Sequence, residues 1–195
     1  MKNEIVIIEK NANGGELVRV DAKAFAMKYD PLQVLTGLQH IKTIKQAIAD
    51  DKNGVAFYSK HLGMDAMLAI IELHLVALSG SVNVGQPLTK YQVKEIAIEI
   101  LNVFYYLSMT EICFVLRRAK RGEYGQLYGV LNIVAILDWF NQYAEERAQK
   151  FIEDSTKDIQ TDFSDRSSQR EEKAKYERRK ESFNNDKRRA NENGN

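Results

Sequence analysis

Residues 89–121 read TKYQVKEIAIEILNVFYYLSMTEICFVLRRAKR, and their punctuation decides the fold. Thr89 is followed three residues later by Gln92, and Ser108 by Glu111. Each pair has the form of a capping box, in which a hydroxyl and a long polar side chain satisfy the free amides at a helix start. The spacing predicts two helices, Thr89–Phe104 and Ser108–Arg121. The second ends where the chain continues as Gly122, a residue free to take the left-handed turn that closes a helix. At 100° per residue, Ile112, Val115, Leu116 and Ala119 fall on one face of it, and Arg117, Lys120 and Arg121 on another, with Arg118 at the edge.

Working outward, Met64–Leu78 is apolar nearly all round, which predicts a helix in the middle of a core. Its MLAIIELHLVAL window spans about 12 residues against the ~20 needed to cross a bilayer. Asp30-Pro31 reads as a cap with proline at the first helical position, and Leu35, Leu38, Ile41, Ile44 and Ile48 keep helical spacing up to the DDKNG stop. GVAFYSKHLG is open between strand and helical turn, and SGSVNVGQPL is a loop. Asn132 is expected to cap a long helix with the stripe Ile133, Ile136, Leu137, Phe140, Ala144 and Phe151, flanked by Trp139 and Tyr143. Near the start, Glu4–Lys10 and Glu16–Val20 are β-branched runs joined by NANGG, the pattern of a β-hairpin. Beyond about Thr156 the composition changes. Ser164–Asn195 holds no Leu, Ile or Val, and ten Lys/Arg against seven Asp/Glu. Such a segment lacks the apolar area to offset its ordering entropy. The expected architecture is mainly α: a hairpin over residues 1–20, a bundle of five or six helices over 21–155, and a charged arm over 156–195, helical around QREEKAKYERRKES.

With 44% apolar residues the chain can bury a core, and its net charge of +1 confines any contact with nucleic acid to a local patch. The one cysteine, Cys113, rules out an internal disulfide and suits a reducing cytoplasm. The start, MKNEIVIIEK, has no signal-peptide pattern. His40, His61 and His74 stand on separate segments without second ligands at i+3 or i+4, so no metal or other cofactor is expected. Carboxylates such as Glu95 with Glu99, or Glu145 and Glu146 beside Arg147, read as exposed helix decoration. The glycines of GEYGQLYG fit neither a dinucleotide fingerprint nor a P-loop. No catalytic constellation is present, and no enzyme is expected.

The feature with a functional reading is the basic end of the second helix. Arg117, Arg118, Lys120 and Arg121 can neutralise phosphates, and the rings of Tyr124 and Tyr128, which follow at once, can stack bases. The bland alternative is a solvated face and two rings that pack the loop.

Residues 88–129 together with ILDWFNQYAEER resemble a group of small α-helical proteins encoded by bacteriophages and mobile elements. There a helix ending in Lys-x-Gly-x-Tyr-Gly precedes a Trp-Phe-x-x-Tyr-x-x-x-Arg segment; here those positions are Lys120, Gly122, Tyr124, Gly125, Trp139, Phe140, Tyr143 and Arg147. The resemblance covers about Leu62 to Lys150 and leaves out the hairpin and the tail. It implies an accessory of phage DNA metabolism. The expectation is therefore a non-enzymatic, cytoplasmic DNA-transaction protein, in the manner of a replisome organiser or helicase loader, with single-stranded DNA and a replicative helicase or other phage or host protein as partners and no membrane. The competing expectation is a protein-interaction or structural module, a virion component or host-factor inhibitor, that touches no nucleic acid.

Overall fold

The computed structural model describes residues 5–10, 16–82, 85–125, 131–157 and the single positions 172, 173 and 175. Two strands, β1 (Val6–Lys10) and β2 (Glu16–Val20), precede the helices α1 (Ala22–Lys28), α2 (Pro31–Gly37), α3 (Ile44–Asp50), α4 (Val55–Leu62), α5 (Met64–Ser81), α6 (Lys90–Val103) and α7 (Met109–Lys120). Residues 133–157 form a further helix, α8. The chain divides into two compact units, Met1–Arg147 and Ala148–Asn195. The architecture is mainly α with a small antiparallel hairpin, as the sequence predicts. The hairpin pairs Val6 with Val20 and Lys10 with Glu16 at its ends. Its NANGG connection, the arm's expected helix apart from three positions, and Tyr128 lie outside the described residues.

Caps account for the helix starts. Thr89 accepts the Gln92 amide and Ser108 the Glu111 amide, and in both boxes the third side chain reaches back. Asp30 accepts the amides of Leu32 and Gln33, with Pro31 at the first position of α2. Asn132 accepts the Ala135 amide at 2.9 Å and opens α8. Two expectations need correction, and one open reading is resolved. The run from Leu35 to Ile48 is two helices, because α2 ends at Gly37 and Thr43 with Gln46 forms another capping box that starts α3. GVAFYSKHLG is helical: α4 has no side-chain cap, but the amides of Val55 and Ala56 donate to the carbonyls of Leu107 (2.8 Å) and Tyr105 (3.0 Å). That approach requires Gly54, since a Cβ there would stand 2.8 Å from the Tyr105 carbonyl oxygen. Finally, α5 runs through Ser79, Gly80 and Ser81, which the sequence assigned to a loop.

The core of the first unit is built on α5, α6 and α7. Met67, Ile71, Leu75 and Leu78 from α5, Ile96 and Ile100 from α6, and Ile112 and Val115 from α7 are wholly inaccessible to water. Burying each of these side chains stabilises the fold by about 1.5–3 kcal/mol. From α8 come Ile136, Trp139, Phe140 and Tyr143, so the two aromatic residues expected to flank the stripe lie at its centre. Phe140 stacks obliquely on Phe104 with centroids 5.3 Å apart. The second unit begins within α8, where Lys150 pairs with Glu153 at 2.9 Å and Phe151 is exposed.

Two polar knots pin the helices of the first unit. In one, the buried Asp51 accepts the hydroxyls of Tyr29 (2.7 Å) and Tyr58 (3.0 Å), while Thr110 bridges Tyr29 and Asp50. In the other, buried Glu111 accepts the Ser108 amide, the Tyr143 hydroxyl and Nε of Arg147. These contacts give the Trp-Phe-x-x-Tyr-x-x-x-Arg segment a structural meaning: it docks α8 onto α6 and α7. His74, inside α5, donates from Nε2 to the Tyr29 carbonyl at 2.7 Å. Burial lowers its pKa, so it stays neutral at pH 7.

Candidate functional site

The end of α7 is closed by Gly122 at φ 74°, whose amide donates to the Ala119 carbonyl (2.9 Å), while the Glu123 amide donates to that of Arg118 (3.1 Å). This is the Schellman pattern expected of a glycine in that position. The four cations before the turn, predicted to share an outward row with Arg118 at its edge, have separate roles.

Arg117 is half-buried and points its guanidinium at the link between α2 and α3. There it donates to the carbonyls of Leu38, the C-cap of α2, and of Ile41 in the link. Arg118 is clamped between Glu123 (2.7 Å) and both carboxylate oxygens of Glu146, and its side chain is only 14% exposed. Burial pulls its pKa down, but the hydrogen bonds to Glu146 and Glu123 outweigh that and raise it. Tyr124 is half-buried with its ring 4.7 Å beneath the Arg118 guanidinium, so one face of the phenol is already covered. Arg121 is exposed, 3.7 Å from Glu123. Lys120 is exposed too, and no carboxylate pairs with it among the described residues. Partial desolvation of its ammonium nevertheless lowers its pKa. Beside the Arg118 clamp lies a recess of about 200 Å³ that contains Lys42, Arg118 and Arg121 but also Glu123 and Glu146. A phosphate entering there meets two carboxylates.

Arg117→Ala is expected to cost about 2 kcal/mol, because hydrogen bonds from a charged donor are each worth roughly 1.5–3 kcal/mol. Arg121→Ala should stay within about 0.5 kcal/mol. Urea unfolding followed by circular dichroism separates the two, and equal effects would show that Arg117 is not a structural residue.

A second region has no counterpart among the residues singled out from the sequence. α5 buries Met67, Ile71, His74, Leu75, Leu78 and Ser79 on one face. Its opposite face is also apolar. At 100° per residue, Ala66, Ala69, Ile70, Leu73, Val76, Ala77 and Gly80 all fall within about 60° of Leu73. Leu73 is 48% and Val76 55% exposed. The sequence placed α5 at the centre of a core; the structure covers one side of it. The helix has 18 residues and a mean hydropathy of 1.4, a third of it buried, so by length and composition alone it could also cross a membrane.

α2 packs beside α5, and on it Leu32 is 73% and Leu35 59% exposed. Between them opens a cleft of about 280 Å³, walled by Pro31, Leu32, Val34 and Leu35 of α2, by Ala77 and Ser81 of α5, and by Leu116, Arg117 and Lys120 of α7. His74 and Cys113 also line it. Cys113 is held inert, since burial pushes its thiol up to about 12. The cleft's lining contains two cations and no carboxylate. The signal for this surface was in the sequence: a helix apolar on both faces needs covering on both, and the described residues supply cover for one.

Fold and surface define a small α-helical domain that presents an apolar, positively edged cleft; among its described residues no group of His, Cys, Asp or Glu gathers to hold a metal ion. Residues 87–194 match the profile of a family of unknown function, DUF6633, and the chain belongs to that family. The matched span starts just before α6 and reaches into the charged tail, which lay outside the resemblance seen in the sequence. No curated protein and no solved structure matches the chain.

Proposed function

We propose that this chain is a non-enzymatic docking module that engages a protein partner through the α2–α5–α7 cleft and the adjoining face of α5. The observation that carries the reading is the cleft with the exposed Leu32 and Leu35 on its α2 wall, together with the exposed Leu73 and Val76 on the α5 face outside its lining. Contiguous exposed apolar patches on small domains mark interaction sites. The reading of the α7 end as a DNA-holding patch has less support. Arg117 and Arg118 spend their donors inside the fold, and one face of Tyr124 is occupied, so the exposed charges left there are Lys120 and Arg121, the latter 3.7 Å from Glu123. An accessory role in DNA transactions, implied by the resemblance to phage and mobile-element proteins, is compatible with this reading. The contact then runs through a protein such as a replicative helicase rather than through DNA.

Photo-crosslinking tests the choice. A benzophenone amino acid replaces Leu35 in one full-length version and Arg121 in another, each expressed in the native host and irradiated. Position 35 is expected to give a discrete protein adduct that survives nuclease, and position 121 little of anything. Nuclease-sensitive adducts at position 121, with none at position 35, would reverse the assignment.

A further inference from the structure

Resting on that docking reading, we infer that the partner segment seated in the cleft is an amphipathic α-helix with a carboxylate beside its apolar anchors. The geometry selects among the ways in which proteins hold peptides. Strand addition needs a free sheet edge, and the cleft walls contain none: they are α2, α5 and α7. What they present is a pair of exposed apolar side chains at i and i+3 on one wall, Leu32 and Leu35 on α2. A ridge of that spacing beside a groove between helices accepts a further helix, whose own apolar residues at i, i+3 or i+4 and i+7 enter the groove. On the α5 side the lining is His74, Ala77 and Ser81, and the two small residues among them leave room for a helix backbone to approach. The volume agrees. About 280 Å³ lies at or below the lower limit of small-molecule sites, roughly 300–1,000 Å³, and suits one or two inserted side chains.

The acidic character follows from charge. The lining brings Lys120 and Arg117 to the cleft and no Asp or Glu. Among the described residues no carboxylate pairs with Lys120, whereas Arg117 already donates to the Leu38 and Ile41 carbonyls. An ammonium at the edge of an apolar groove has lost part of its water without gaining a counter-charge. A carboxylate on the incoming helix supplies that charge where the local dielectric is low and the attraction correspondingly strong. A basic helix is repelled from the same groove.

The test uses the full-length chain carrying the benzophenone residue at position 35, with the adduct digested and its partner peptide sequenced. The inference expects a segment of another protein with apolar residues at helical spacing and Asp or Glu on their flank. It further expects Lys120→Glu to lower the adduct yield roughly fivefold or more, about 1 kcal/mol, while Lys120→Arg, which keeps the charge, changes it less than about twofold. A protein adduct whose yield ignores the charge at position 120, or whose mapped segment lacks acidic residues, overturns the acidic-helix inference and leaves the docking reading standing. A second copy of this chain as the adduct also overturns the inference. Adducts to nucleic acid or lipid only, or none from a variant whose circular dichroism matches the wild type, overturn both.

Discussion

Replacing Glu111 by alanine is expected to remove about 3 kcal/mol from the free energy of unfolding. The side chain is 2% exposed, and its two oxygens bind three donors. One accepts the Ser108 amide at 2.9 Å; the other accepts the Tyr143 hydroxyl at 2.9 Å and Nε of Arg147 at 2.7 Å. Truncation removes half of the α7 capping box and leaves a buried phenol and a guanidinium without their acceptor. Breaking a buried ion pair typically costs 3–5 kcal/mol. The low end applies because the Arg147 side chain is 21% exposed and lies over the Tyr106 ring, so water and that ring take up part of its charge. Glu111→Gln keeps one acceptor oxygen but turns an NH2 toward either the Ser108 amide or the Tyr143 and Arg147 donors, so it should lose less than the alanine variant without matching the wild type. Urea denaturation of the three proteins measures this. An alanine variant within about 1 kcal/mol of the wild type would mean that the knot between α7 and α8 does little.

Asp51→Ala is expected to cost nearly as much, about 2–3 kcal/mol. Its carboxylate accepts the Tyr29 hydroxyl at 2.7 Å, the Tyr58 hydroxyl at 3.0 and 3.1 Å and the Asn53 amide at 3.1 Å. Both phenols are almost completely buried, at 1% and 2% exposure, and each stranded donor carries a desolvation penalty of roughly 1–3 kcal/mol. Tyr29 keeps Thr110 at 3.0 Å, so the penalty falls mainly on Tyr58. A double-mutant cycle isolates the contact. With Tyr58→Phe in place there is no second hydroxyl to strand, and Asp51→Ala should cost about 1 kcal/mol less than in the wild type. Full additivity would deny the bond.

The elements most legible in the sequence were those written in local code. Ser108 with Glu111, Thr89 with Gln92, Asp30 before Pro31 and Gly122 after the basic run each fix a helix end by bonds to residues at most five positions away, and each lies where the pattern put it. The break between α2 and α3 was equally local but hidden, because Leu38 and Ile41 keep helical spacing across the gap where Thr43 restarts the chain. α4 was ambiguous for a physical reason: its start is capped by carbonyls of Tyr105 and Leu107, some fifty residues away. The same distinction applies to the basic end of α7. Periodicity predicts which way a side chain leaves its helix, not what a long side chain meets when it gets there. Arg117 finds carbonyls 76 and 79 residues earlier, and Arg118 finds Glu146 28 residues later. Glu111 was visible as a cap, whereas its bonds to Tyr143 and Arg147 were not, since they join helices 32 and 36 residues apart. The uncovered face of α5 was legible as composition and misread as centrality.

The measurement closest to the proposed docking is a quantitative affinity purification from the native host, with nuclease treatment, comparing wild type with the double variant Leu35→Gln, Leu73→Gln. Both side chains are solvent-exposed, so the variant should keep its stability within about 0.5 kcal/mol per site. The expected result is a protein partner recovered with the wild type and reduced at least about tenfold with the variant, the loss of roughly 1.4 kcal/mol of binding. Equal recovery from both proteins, or recovery that disappears with nuclease instead of with the two leucines, would contradict it.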